Sequence, residues 1–143
     1  MIIDLEQITK ENISLYSAFE FGDYKNYQSR IYPDKNADAK IWCYIKFNGL
    51  RIGSVWLEKF VEDDFAVLGV FIADEKYRNK GIGLNAVELM LGRIGELCVD
   101  KVLLRVREDN KRAIRCYQKA GFIEIRRYVK ENGINAIEMI YTK

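Results

Sequence analysis

Two adjacent segments decide the fold: Phe65-Ala66-Val67-Leu68-Gly69-Val70-Phe71-Ile72-Ala73 and, after a short polar connection, Arg78-Asn79-Lys80-Gly81-Ile82-Gly83-Leu84. The first is a nearly continuous apolar run, the pattern of a central strand covered on both faces. Beyond the second, Leu84, Val87, Leu91, Ile94 and Cys98 recur every three or four residues, which predicts a helix from about Gly81 to Val99. The glycine-rich connection therefore stands at a helix start. There the free backbone N–H groups and the positive end of the helix dipole favour an anion, and glycine lets it approach because no Cβ intervenes. Arg78 and Lys80 add positive charge, so a pyrophosphate suits the site. Taken alone, RxxGxG is equally the ordinary start of a helix after a loop. Gly81-Ile82-Gly83-Leu84-Asn85-Ala86 also satisfies a dinucleotide pattern, but that pattern belongs to a first βα turn with a doubly wound sheet after it, and too little chain remains. A P-loop is excluded because no Lys-Ser or Lys-Thr follows the glycines.

Upstream, Ile41, Cys43, Ile45 and Phe47 alternate with other residues over 40–47, Asn48-Gly49 supplies a tight turn, and residues 51–60 continue as a second strand. Residues 2–7 read as a first strand. Thr9 opens a capped helix carrying Leu15, Ala18 and Phe19, and a further helical stretch is expected over about 23–31. Downstream, residues 101–107 alternate as a strand, 110–120 are helical up to Gly121, and Asn132-Gly133 joins two closing strands at 122–130 and 134–141. The expected order is β-α-α-β-β-β-α-β-α-β-β in one domain spanning 1–143, with no internal repeat and no linker.

Composition narrows the chemistry. The 143 residues are 49% hydrophobic and 31% charged with a formal net charge of +2, which describes a globular chain and makes no demand for nucleic acid. No apolar run reaches the roughly 20 residues of a membrane span, and Met1-Ile2-Ile3-Asp4-Leu5-Glu6 lacks a basic leader, so a cytoplasmic location with no membrane partner is expected. Cys43, Cys98 and Cys116 form no CxxC and read as packing residues in a reducing compartment. Histidine is absent, which excludes a Ser/His/Asp triad, a Cys/His dyad and zinc sites that need histidine; no metal is expected.

A second constellation lies on the helix of residues 110–120. Asn110, Ala113 and Tyr117 occupy i, i+3 and i+7 and so share a face bearing an amide, a small residue and a phenol. An amide pairs with peptide-like groups, alanine leaves room for a narrow chain, and a phenol can protonate a leaving group. By itself this stripe is also compatible with a tyrosine packed on a helix face.

Together the two constellations resemble the GCN5-related N-acetyltransferase (GNAT) superfamily, in which RxxGxG after a central strand is followed by an Asn-x-x-Ala-x-x-x-Tyr helix ending in Gly-Phe, here Asn110 to Phe122. The element order agrees, and the resemblance covers nearly the whole chain, most tightly from Phe65 to Phe122. It implies an α/β (α+β) fold: a mixed, mostly antiparallel sheet of about seven strands, flanked by helices and splayed at a central parallel pair. It also implies an acetyl-CoA-dependent N-acetyltransferase acting on a small-molecule or protein amine. The cosubstrate would lie between the strands at 65–73 and 101–107, its pyrophosphate on Asn79, Lys80, Gly81, Ile82, Gly83 and Leu84 beside Arg78. Backbone groups near Phe71 and Ala73 would hold the pantetheine arm and polarise the thioester. Asn110 and Ala113 would line the arm, and Tyr117 would serve the departing thiolate as the catalytic acid.

The chain departs from many relatives in having no carboxylate in 65–73. Glu58, Asp63 and Asp64 are the candidates for removing the acceptor's proton, each also readable as a solvated loop or strand-end residue, and the base stays unassigned. The basic stretch from Arg105 to Arg127, with Lys111, Arg112 and Arg115, reads as a solvated face, a site for the CoA 3′-phosphate, or a nucleic-acid patch. A non-catalytic acyl-CoA-binding or regulatory module is the alternative to an enzyme. A homodimer is a further expectation, because exposed edge strands tend to be covered.

Overall fold

A computed structural model describes residues 2–19 and 31–143; the helix expected over 23–31 falls almost wholly outside them. The elements are β1 (Ile3–Gln7), β2 (Ala39–Phe47), β3 (Leu50–Lys59), β4 (Ala66–Ile72), helix α1 (Ile82–Leu91), β5 (Lys101–Arg107), helix α2 (Lys111–Lys119), β6 (Ile123–Val129) and β7 (Asn135–Thr142). The seven strands form one sheet in the order β1-β2-β3-β4-β5-β7-β6. Every pair is antiparallel except β4 with β5, as the sequence led us to expect.

Alternation along the strands sorts side chains to two covered faces. Ile41, Cys43, Val55, Leu57, Leu68 and Leu104 pack with Ile82, Ala86, Val87 and Met90 of α1. The opposite face is aromatic: Trp42, Tyr44, Trp56 and Phe71, with Ile8 and Tyr16 over them. Because both faces are covered, β3 is buried from Ile52 to Glu58.

Two helices are shorter than the spacing of apolar residues predicts. The chain turns at Gly92 after α1 and resumes only as a 3-10 turn at Ile94–Leu97, closed by Cys98 with φ 57. Gly92 and Gly95 supply too little helix propensity to carry the run on, although Ile94 still reaches the core. The segment after Thr9 likewise forms a 3-10 helix at Ile13–Ala18, with the Asn12 side chain accepting the Thr9 N–H. Contrary to the packing role expected for all three cysteines, Cys98 is exposed; Cys43 is buried and Cys116 half-buried.

Candidate active site

The parallel pair is joined over a short length only. β4 and β5 pair at Ala66↔Val102 and Val67↔Leu103, whereas β3 and β4 stay paired along seven residues, from Lys59↔Ala66 to Gly53↔Ile72. Beyond Val67 and Leu103 the two strands carry no ladder between them. The sheet is therefore split, with its apex at Val67 and its open end toward Ile72 and Arg107.

At the open end, α1 begins at Gly81, whose φ of 78 lies in the left-handed region and which makes no side-chain cap. Asn79 two residues earlier also has a positive φ of 65. Asn79, Lys80 and Gly81 are exposed, and a Cβ built on Gly81 meets nothing within 4 Å. Ile82 is fully buried and anchors the helix, while Gly83 and Leu84 are half-buried. No N-cap side chain occupies the first-turn N–H groups, and Gly81 leaves open space before them, the arrangement that binds phosphate. Arg78, expected to lend charge beside the cradle, is half-buried behind it. Its Nη2 donates to the Ile72 carbonyl at 3.2 Å and its Nη1 lies 4.0 Å from Glu75, so the guanidinium ties the loop to the end of β4.

Register fixes where β4 aims its backbone. The Ala73 N–H donates to the Ile52 carbonyl at 2.8 Å, so this amide is committed to β3. In an antiparallel ladder alternate residues turn their groups to the same neighbour, so Phe71 and Ala73 face β3 while Val70 and Ile72 face the split. The Phe71 side chain is fully buried in the aromatic face. The arm-binding backbone was expected near Phe71 and Ala73; the neighbouring groups of Val70 and Ile72 are the ones turned to the split.

The other wall is α2. Asn110 is its N-cap, and the Oδ1 accepts the Ala113 N–H at 3.3 Å. Ala113 and Tyr117 turn toward the core with Ile114 and Ala120, yet no residue of α2 is fully buried. Tyr117 meets Phe122 edge-on at 5.9 Å between ring centroids. The Cys116 thiol is pushed up to about 11 by burial, and burial likewise raises that of Cys43 against the opposing effect of Arg93. Neither is a thiolate nucleophile at neutral pH.

The basic stretch resolves into two parts. Arg105 and Arg126 share Glu138, Arg107 grips Asp109 through two hydrogen bonds, and Arg127 bridges Glu108 and Glu124. Lys111, Arg112 and Arg115 on α2 are exposed and form no ion pair among the described residues.

The three candidate carboxylates separate sharply. Asp64 is 2.8 Å from Lys101 Nζ, which lowers its pKa and ties the joined ends of β4 and β5 together. Asp63 is half-buried in the same loop. Glu58, by contrast, is 1% exposed on the aromatic face, directly across from Val67 at the apex. The reading of Glu58 as a solvated residue is thereby corrected.

Among the described residues no group of three His, Cys, Asp or Glu side chains could hold a metal ion, and no helix is long and apolar enough to cross a membrane.

The site thus consists of a split mixed sheet with a glycine helix start at its open end. The acetyltransferase (GNAT) family profile matches residues 5–122, and the chain belongs to that family. Among curated proteins it is 37% identical over 71 residues to the spermine/spermidine N(1)-acetyltransferase of Bacillus subtilis, a match covering 49% of this chain and 40% of that one. It is 31% identical over 74 residues to N-alpha-acetyltransferase 30 of Homo sapiens, covering 50% of this chain and 20% of that one. The chain thus spans less than half the length of either relative. Among solved structures, spermidine N-acetyltransferase from Vibrio cholerae in complex with CoA and spermine superposes with a TM-score of 0.80 at 16% identity, over 98% of this chain and 95% of that one. Aminoglycoside acetyltransferase AAC(6')-Ib with coenzyme A and kanamycin gives 0.78 at 19% identity, over 99% and 95%. These structural likenesses establish the fold.

Proposed function

We propose that the chain is an acetyl-CoA-dependent N-acetyltransferase that moves the acetyl group directly to an amine on a small molecule or a protein. The observation that carries this reading is the uncapped, glycine-rich start of α1 at the open end of the β4/β5 split. It joins an anion cradle to the gap that opens between β4 and β5 beyond Val67 and Leu103. The residues fit the cosubstrate. Asn79 to Leu84 hold the pyrophosphate, Val70 and Ile72 offer backbone groups to the pantetheine arm, and Asn110 and Ala113 line it. Lys111, Arg112 and Arg115 supply charge for the 3′-phosphate.

Bound acetyl-CoA supplies an activated acetyl group. The chain's part is to hold the carbonyl against a backbone N–H of β4, so that negative charge developing on oxygen is stabilised where water is excluded. The neutral amine nitrogen bonds to the carbonyl carbon as the C–S bond breaks, the Tyr117 hydroxyl gives its proton to the departing sulfur, and the proton lost by the nitrogen passes through solvent to restore the phenol. The raised thiols of Cys43 and Cys116 favour this direct transfer over a covalent acetyl-cysteine.

The acceptor class draws on the curated relatives, which are named as a spermine/spermidine N(1)-acetyltransferase and an N-alpha-acetyltransferase. A cytoplasmic setting fits the exposed free thiol of Cys98. A second copy fits the edge strand β6, which exposes Ile123, Ile125 and Val129.

Tyr117→Phe tests the catalytic role. It is expected to lower kcat by roughly 100-fold while acetyl-CoA affinity changes by less than about twofold. An equal loss of affinity would make Tyr117 a packing residue. Tight acetyl-CoA binding with no CoA release to spermidine, kanamycin or a peptide N-terminus would favour a binding module instead.

A further inference from the structure

We propose that Trp56 sets the length of the acyl group this chain accepts, by filling the space over Gly69 beside the β4/β5 gap and so limiting the donor to acetyl-CoA. The inference rests on the acetyl-transfer reading and deepens it by naming the acyl class and the residue that selects it.

Pairing fixes where the acyl end has to stop. The gap closes at Val67↔Leu103, so an arm entering from the α1 cradle ends short of that pair, and its leading end carries the acyl group. Gly69 lies two residues beyond Val67 and three short of Ile72, about 10 Å of strand from the open end. Exposure marks the same place. Within β4, Val67, Gly69 and Val70 stay half-buried although the strand is central, while Ala66, Leu68, Phe71 and Ile72 are buried. The helices α1 and α2 pack together on the face of Leu68 and Leu104, so the room left to an acyl chain in the gap is on the aromatic face.

On that face β4 presents Val67, Gly69 and Phe71 in alternation. Phe71 is fully buried against Tyr16 and Phe19. Gly69 has no side chain and is the position where β4 itself leaves room. Trp56, its partner in register on β3, takes that room: a Cβ at Gly69 would stand 2.1 Å from Cε2 and Cζ2 of the indole and 2.5 Å from Nε1. The ring edge therefore reaches from β3 across to β4 beside the gap. Trp56 is 2% exposed and enclosed in the aromatic cluster, so the ring has nowhere to swing. An acetyl group carries one methyl beyond its carbonyl, and each further carbon directed here presses on the indole, which a close-packed site resists. The Nε1–H has no hydrogen-bond partner among the described residues, so a smaller apolar side chain in place of Trp56 breaks no hydrogen bond.

Calorimetric titration of the intact protein with CoA, acetyl-CoA, butyryl-CoA and hexanoyl-CoA tests this. The wild type is expected to bind butyryl-CoA and hexanoyl-CoA at least about tenfold more weakly than acetyl-CoA, the discrimination a closed apolar site exerts on added methylenes. Trp56→Leu is expected to bring butyryl-CoA within about threefold of acetyl-CoA, with affinity for CoA itself changed by less than about twofold. Trp42→Phe keeps a ring at the neighbouring position on β2 and should preserve the wild-type preference, which separates a wall at Trp56 from a general loosening of the aromatic face. Equal affinity for the three acyl donors in the wild type, a preference that survives Trp56→Leu, or one that vanishes in Trp42→Phe would each overturn the assignment. Should Trp56→Leu fail to fold, Trp42→Phe leaves Trp56 as the sole tryptophan, and its emission is expected to differ between the CoA and acetyl-CoA complexes; identical emission would overturn the assignment. Failure of CoA itself to bind would refute the transfer reading, whereas CoA binding without discrimination among acyl groups would sink the role of Trp56 alone.

Discussion

Gly53→Ala is expected to destabilise the chain by about 3–5 kcal/mol, a fall in Tm of roughly 10 °C or more. Gly53 pairs with Ile72 in the middle of the sheet, and a Cβ there would stand 1.9 Å from the Phe71 carbonyl oxygen and 2.9 Å from the Ile72 Cα. Both are backbone atoms of β4, so no side chain can rotate aside; the two central strands must part. Strand separation would also disturb the β4 residues that face the split, so acetyl-CoA affinity should fall along with stability. Thermal unfolding monitored by circular dichroism checks the first effect, and a Tm within about 2 °C of the parent would show that β3 and β4 do not approach this closely.

Gly81→Asp should leave the fold nearly unchanged and lower acetyl-CoA affinity by roughly 100-fold or more, the effect of a fixed negative charge in place of the anion the cradle binds. No atom lies within 4 Å of the built Cβ, so the cost to the free protein is the left-handed backbone at φ 78, about 1 kcal/mol for a residue with a Cβ. An aspartate beside the α1 start recovers part of that by accepting the free N–H groups. Those are the groups the pyrophosphate needs, and the carboxylate repels it as well. Unchanged unfolding with lost binding is the expected pair of results; unchanged binding would place the phosphates elsewhere.

The sequence was legible where one physical cue dominates. Alternation with Asn48-Gly49 and Asn132-Gly133 marked both hairpins, and glycine before an apolar helix marked the start of α1. Apolar spacing alone overran the end of α1, because Ile94 keeps the helical phase after Gly92 has ended the helix. Glu58 was misjudged because an acidic residue near a strand end ordinarily faces water. Only pairing shows that β3 is flanked by β2 and β4 and covered on both faces, so that Ser54, Trp56 and Glu58 share a buried side. The choice between Val70 and Phe71 as the residue facing the split depends on hydrogen-bond parity, which composition does not carry.

The measurement closest to the central claim is calorimetric titration of the purified chain with acetyl-CoA, with NAD and ATP as controls. The account predicts one site of about micromolar affinity for acetyl-CoA, near 8 kcal/mol of binding free energy, and little or no binding of the other two. No binding of acetyl-CoA, or a preference for NAD, would contradict it.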